Sequence, residues 1–307
     1  MNALLTELGK SLATRWLSQL MPAGLLFLGT AATGAVLGHT HWYDLPAAVH
    51  RLDHELSRPG ESSVGLILGA TAVVVLVATA TGLLIRAMAQ PVERLWGGAW
   101  PRPLDRLAAR RRKHRTIRWN TADESLRAAW RHHATAQHHA RPPGVAAPDD
   151  AEPARRLAAR DRIALERPAH PTWIGDRLHA VDRRVLTTYG LDLSAVWPRL
   201  WLLVPEETRS ELRTARAAYD AAAQLVAWSV LYLLLALWWW PALPAAAAAF
   251  LTGCRRGRAA MDTFCGLAES VVDLHSRELA ATLGLPADGP LTAHRGAEIT
   301  RLLRKDA

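Results

Sequence analysis

Cysteine is nearly absent: Cys254 and Cys265 are the only two in 307 residues. Their spacing is neither that of a C-x-x-C pair nor that of a metal knuckle, which excludes a disulfide framework and a cysteine-based zinc module. Lysine is equally sparse, since Lys10, Lys113 and Lys305 are the only lysines among 37 basic residues. The arginine excess then reads as coding bias, and the net charge of +9 takes its meaning from where the charge lies. The chain also lacks G-x-x-x-x-G-K-[ST], G-x-S-x-G and G-x-G-x-x-G, which removes the ordinary signatures of phosphate cradling, acyl transfer and dinucleotide binding. His54-Glu55 has no second histidine to complete H-E-x-x-H. No cofactor, no metal and no nucleic-acid partner is expected, and the chain is expected not to be an enzyme.

The most telling absence is of charge within two long tracts. Residues 64–85 and 221–240 are apolar, each about 20 residues long, and neither holds a charged side chain. At 1.5 Å of rise per residue this matches the roughly 30 Å hydrocarbon core of a bilayer. The sequence therefore predicts an integral membrane protein of all-α, polytopic fold, with four spans arranged as two hairpins and a helical cytoplasmic domain. An amphipathic interfacial helix is expected over 1–20, where Leu4, Leu8, Leu12, Trp16 and Leu20 recur at helical spacing. The first hairpin occupies 21–88, with spans at about 21–38 and 64–85. Residues 21–38 end among small residues as a signal peptide does, but Glu7 and the length of the leading segment favour an uncleaved span. The second hairpin occupies 221–254, with spans at about 221–240 and 242–258; the latter has only about a dozen uncharged residues, short for a full crossing.

Charge distribution sets the orientation. The loop 39–63 holds Arg51 and Arg58 against Asp44, Asp53, Glu55 and Glu61, whereas 86–220 holds most of the arginine, including the run from Arg110 to Arg115. By the positive-inside rule the basic middle lies in the cytoplasm of a bacterial inner membrane, with both termini on the same side. Anionic lipid headgroups are a second use for that charge, at about 1 kcal/mol per basic group near the surface.

The cytoplasmic helical domain is expected over 89–220, with a linker near 141–153. Gln90, Pro91, Gly97, Gly98, Pro101 and Pro103 predict an irregular stretch, with Trp96 and Trp100 at headgroup depth. Thr121-Ala122-Asp123-Glu124 has the pattern of a capping box that starts a helix running to about Gln137, and another helix is expected over 154–166. Pro171-Thr172 opens a helix that ends before Gly190, and 191–204 reads as an interfacial segment broken by Pro198. Pro205-Glu206-Glu207 starts a helix of about 36 residues leading into the third span. Residues 259–307 form a cytoplasmic C-terminal helix and tail, the helix pairing with its predecessor as a stalk.

Histidines offer two weak metal candidates. His132, His133, His138 and His139 lie on the capped helix at a spacing better suited to a solvated face than to ligation. His50 and His54 in the outer loop do stand at i, i+4, near His39 and His41. Gly65 and Gly69 form a G-x-x-x-G, read first as hairpin packing within one subunit and second as a dimer face.

Pro171-Thr172, Gly175, Tyr189-Gly190-Leu191-Asp192, Trp197-Pro198-Arg199-Leu200 and the later Asp273-Leu274-His275 together resemble a recurrent motif. It belongs to a group of actinobacterial and cyanobacterial multi-spanning membrane proteins, whose pattern reads roughly P-T-x-x-G-N, R-Y-G-x-D and W-P-R-L. This chain departs from the group at Asp176, at Asp182-Arg183 and at Thr188. The resemblance implies a multi-spanning topology and a cytoplasmic motif, and brings no activity with it.

Charge among apolar residues is densest at Asp176, Arg177, Asp182, Arg183, Asp192 and Arg199. Ion pairs and caps that lock the segment are one reading. A contact patch for a partner or for lipid, with Trp197 and Arg199 at the bilayer surface, is the other. The sequence thus favours a membrane scaffold that recruits a cytoplasmic or membrane protein through 171–203. The alternative is a homo-oligomeric channel, with hydroxyls such as Thr71, Thr79 and Thr81 along a pore.

Overall fold

In the computed structural model, residues 21–37, 64–138, 151–286 and 289–305 are described, and every regular element among them is a helix. The helices are α1 (Met21–Leu37), α2 (Val64–Trp96), α3 (Asp105–His138), α4 (Ala151–Asp161), α5 (Trp173–Tyr189), α6 (Leu193–Leu203), α7 (Glu206–Leu235), α8 (Ala242–Thr282) and α9 (Ala293–Arg304). A short 3-10 turn, Arg102–Leu104, precedes α3. The amphipathic segment 1–20, the outer loop with His39, His41, His50 and His54, and His139 with most of the linker lie outside the described residues.

The chain divides into two compact units, one of Met1–Val92 with Asp220–Arg256 and one of Glu93–Tyr219 with Gly257–Ala307. Among the described residues two helical stretches are long and apolar enough to cross a membrane, Thr71–Trp96 and Glu206–Leu235, while Gly24–Gly34 is apolar but shorter.

The first unit is held by small residues. A Cβ at Gly24 would stand 2.9 Å from the Ala78 carbonyl oxygen, so α1 and α2 approach backbone to backbone. One at Gly253 would meet Val226 Cγ2 at 2.6 Å and the Ala222 carbonyl at 3.1 Å, which brings α8 equally close to α7. Phe27 packs edge-on against Tyr232, with ring centroids 5.4 Å apart, and lies 5.7 Å from Trp228. Large apolar side chains such as Leu68, Val73, Leu76, Leu84, Leu233 and Leu234 point outward. Space around Gly69 is open, so the hairpin packing expected of Gly65 and Gly69 is not made at that position among the described residues. The hydroxyls of Thr79 and Thr81 donate to the carbonyls of Val75 and Val77 in their own helix.

The second unit has a conventional core. Ile174, Val181, Val185, Leu191, Val196, Leu200, Leu212, Met261, Val272, Leu279 and Ile299 are buried together, drawn from α5 to α9. Beside it α4 packs along α3, where buried Asp123 pairs with Arg127 at 2.7 Å and Arg160 at 3.4 Å.

Several expectations need correction. α2 continues through Gln90 and Pro91 to Trp96, because one lost backbone bond at proline is outweighed by the packing of the continued helix. Trp96 packs against Tyr219, with centroids 5.6 Å apart, and against the second unit's core rather than standing free for headgroups. Thr121 does not start a helix: it lies inside α3, its hydroxyl donating to the Ile117 carbonyl, and Asp123 faces inward to its arginines. α4 runs Ala151–Asp161 rather than 154–166, with Pro153 accepted in its first turn. Residues 193–203 form a regular helix around Pro198. α7 has 30 residues and stops at Leu235, short of 240, because the N–H groups of Leu237 and Trp238 bond three residues back and tighten the chain before Pro241. The C-terminal stretch contains a second helix, α9, where a tail was expected.

Candidate functional site

The Pro171 to Arg199 motif resolves into three separate arrangements, and its charged residues do not share one surface. At the start of α5, the Thr172 hydroxyl accepts from the Gly175 N–H at 3.1 Å and donates to the Trp96 carbonyl. This N-cap satisfies one of the four orphan amides of the first turn. Gly175 follows because a Cβ there would stand 2.9 Å from His170 Cβ and 3.0 Å from the Gly97 carbonyl. Asp176, 7% exposed, then accepts from the N–H groups of Ala169 (2.8 Å) and His170 (2.7 Å) and pairs with Arg115 at 2.7 Å. Arg115 also donates to the Ile163 carbonyl at 2.7 Å. One carboxylate thus ties α3, the 162–172 connection and α5 together.

Arg177, also 7% exposed, faces α8: its Nε lies 2.7 Å from Asp262 and its Nη1 3.1 Å from Glu269, which also pairs with Arg184 at 2.7 Å. Burial works against the Arg177 charge, but its hydrogen bonds to Asp262 and Glu269 outweigh that and hold it above the ordinary arginine range. Burial pushes the Cys265 thiol up to about 11, so it is a neutral core side chain at physiological pH.

The third arrangement is a seat for α9. Gly190 ends α5 in the left-handed conformation, φ 69°, and Asp192 caps α6 by accepting from the Ser194 N–H at 2.9 Å. α9 crosses this turn with almost no clearance: a Cβ at Gly296 would be 1.7 Å from the Tyr189 carbonyl oxygen, and one at Gly190 2.0 Å from that of Ala293. Thr300 donates to the Gly190 carbonyl and accepts from the Asp192 N–H, each at 3.1 Å, Arg304 pairs with Asp192, and Ile299 is fully buried. The Ser194 hydroxyl foremost, and then Arg304, hold the Asp192 carboxyl below the usual range, against the opposing effect of burial. Tyr189 donates to Asp273 of α8 at 2.8 Å, which raises its phenol above the ordinary value. The Y-G-x-D pattern is therefore the receptor of the C-terminal helix.

Of the other expected residues, Asp182 and Arg183 are exposed, the latter 3.4 Å from Glu166. Trp197 is half-buried against the core with its ring 6.2 Å from that of Trp201, and Arg199 donates to the Ala195 carbonyl of its own helix. Also exposed on α5 and α6 are the apolar Leu178, Leu186 and, at 75% exposure, Leu202, with Arg184 and the threonines Thr187 and Thr188 among them. An open cleft of about 420 Å³ lies at the start of α3, lined by Trp100, Asp105, Arg112 and His170 among others. Among the described residues no group of three His, Cys, Asp or Glu side chains stands where a metal would be held.

Sequence reasoning missed Arg115, Asp262, Glu269, Gly296, Ile299, Thr300 and Arg304. For α9 a signal was present: Thr292 is a capping residue, and Gly296, Ile299, Thr300 and Leu303 repeat at i, i+3, i+4, i+7. Compared with protein-family models, with curated proteins and with solved structures, the chain matches none.

Proposed function

We propose that this chain is an integral scaffold of a bacterial inner membrane, with four spans, both termini in the cytoplasm, and a cytoplasmic helical domain that recruits a protein partner. It is not an enzyme in this reading, and it takes no cofactor. The observation that carries the proposal is the division of labour within the motif. Asp176, Arg177 and Asp192 are spent on locking helices together, while Leu178, Asp182 and Leu186 recur at four-residue spacing along the outward face of α5. A locked helix with an outward stripe of two leucines around one carboxylate suits the docking of an apolar, basic-edged helix. The four-span topology rests on the apolar tracts, on the charge asymmetry around them and on the likeness to multi-spanning proteins that share the motif. The alternative is a homo-oligomeric channel, in which Thr79 and Thr81, whose hydroxyls donate to their own helix, would offer a pore only their oxygen lone pairs.

The test is the native mass of the protein in nanodiscs, with the Leu178→Ser/Leu186→Ser double variant beside it. A monomer or dimer that carries a stoichiometric second protein, lost in the double variant at unchanged thermal stability, supports the scaffold. A ring of identical subunits, or a second protein indifferent to both leucines, overturns it.

A further inference from the structure

The beginning of α3 places Arg106, Arg110, Arg111, Arg112, Lys113 and Arg118 close together, with Asp105 as the one carboxylate between residues 102 and 122. At 3.6 residues per turn, Arg106, Arg110, Lys113 and Ile117 fall on one stripe, about 17 Å long. Arg115 and Trp119 occupy the opposite face and bond the carbonyls of Ile163 and Ala164 at 2.7 and 2.9 Å. The stripe is therefore the side of α3 turned away from its own domain, and all four of its residues are exposed. Arg106, Arg110, Lys113 and Arg118 make no ion pair among the described residues. Leu107 and Ile117 stand exposed beside them.

Unneutralised like charges along one helix raise its free energy unless anions arrive to offset them. The chain itself restricts which anions are near. Arg106 follows Trp96 by ten residues, and Trp96 ends a helix long and apolar enough to cross a bilayer, so Arg106, where the stripe begins, is tethered within about 35 Å of that end. Exposed leucine and isoleucine interleaved with the cations suit the boundary between headgroups and acyl chains, and give a nucleic acid nothing to pair with.

We infer that the stripe Arg106, Arg110, Lys113 and Ile117, flanked by Leu107 and Arg118, binds the phosphate headgroups of anionic lipids in the leaflet next to α2. The inference rests on the membrane reading above. It deepens it by giving the cytoplasmic domain a face that lies on the bilayer and leaves the α5 stripe for protein.

Lys113 is a built-in reporter, because only two other lysines compete with it. The protein is placed in nanodiscs of phosphatidylcholine alone or with phosphatidylglycerol, and acetylation of Lys113 by an uncharged amine reagent is followed by mass spectrometry, with exposed Lys305 as the internal reference. Phosphatidylglycerol is expected to slow Lys113 about five-fold relative to Lys305, high salt to restore it, and Arg106→Glu/Arg110→Glu to remove the dependence while the chain still enters the discs. The inference is overturned if the rate ignores lipid charge, if the double variant keeps the slowing, or if RNA added to neutral discs protects Lys113 equally well. A chain that does not enter the discs would instead overturn the membrane reading, and this inference with it.

Discussion

The two units use the same backbone element in opposite ways. In the first, alanine and glycine sit at the helix contacts, as at Gly24, Ala78, Ala222, Ala227 and Gly253, while most of the leucine and valine faces outward, with Ile85, Val226 and Leu235 as buried exceptions. In the second, leucine, isoleucine and valine fill the interior and arginine and aspartate lie around them. Burial of large apolar groups drives association only where water is the alternative environment. Where the surroundings are as apolar as leucine, close backbone approach over small residues holds helices together instead. The packing of the first unit suits apolar surroundings and that of the second suits water, although Gly190 and Gly296 give the second unit one close crossing of the same kind.

That contrast is best broken at its tightest point. Gly296→Val puts side-chain atoms where the Tyr189 carbonyl stands, and unseating α9 is expected to cost about 3 kcal/mol or more of second-unit stability. Hydrogen exchange over 293–304 would rise to that of an open helix; unchanged protection would show that the crossing is not required.

Two leucines of similar exposure give a sharper comparison. Leu76 of α2 is 70% exposed and Leu202 of α6 is 75%. Leu76→Arg is expected to cost about 2.5–3.5 kcal/mol of membrane insertion, whereas Leu202→Arg changes stability by less than about 0.5 kcal/mol. Carbonate extraction of membranes reads the first, thermal melting the second. Equal tolerance at both sites would mean that the two units face the same solvent.

Within the first unit, Gly253→Leu forces α8 away from Val226 and the Ala222 carbonyl, at about 1–3 kcal/mol. Denaturation in mixed micelles measures it, and a neutral result would remove small-residue packing as the glue there.

A milder perturbation of the α9 seat follows pH. A carboxyl held below its ordinary range contributes stability that is fully present above that range and is lost as pH falls through the lowered value. Asp192 is such a group, so α9 should loosen on acidification from the ordinary carboxylate range downward. Hydrogen exchange over 293–304 as a function of pH reads this, and Asp192→Asn should flatten the profile. Asparagine keeps the capping oxygen, so the variant loses only about 1 kcal/mol or less at neutral pH.

Where local chemistry is self-sufficient, the fold was legible in advance. Thr172 and Gly190 bracket α5 as a cap and a left-handed stop, and Pro205-Glu206 opens α7. Local patterns misled where tertiary packing overrode them: Pro91 lies inside α2, and the Thr121 pattern has its aspartate drawn into the α3–α4 contact. The candidate site was half legible. Asp176, Arg177 and Asp192 stood out as charges among apolar residues, but their partners Arg115, Asp262 and Arg304 are 61, 85 and 112 residues away. No periodicity within one segment reports a pairing of that range.

The second unit is assembled from two stretches of chain, 93–219 and 257–307, with a piece of the first unit between them. Leu191 and Leu200 therefore emerge from the ribosome well before Ile299, the residue that helps to cover them. At roughly 5–20 residues per second the intervening segment imposes a wait of several seconds, during which that surface is open to chaperones and proteases. Completion of the second unit thereby reports that the apolar segment between its two stretches has been made.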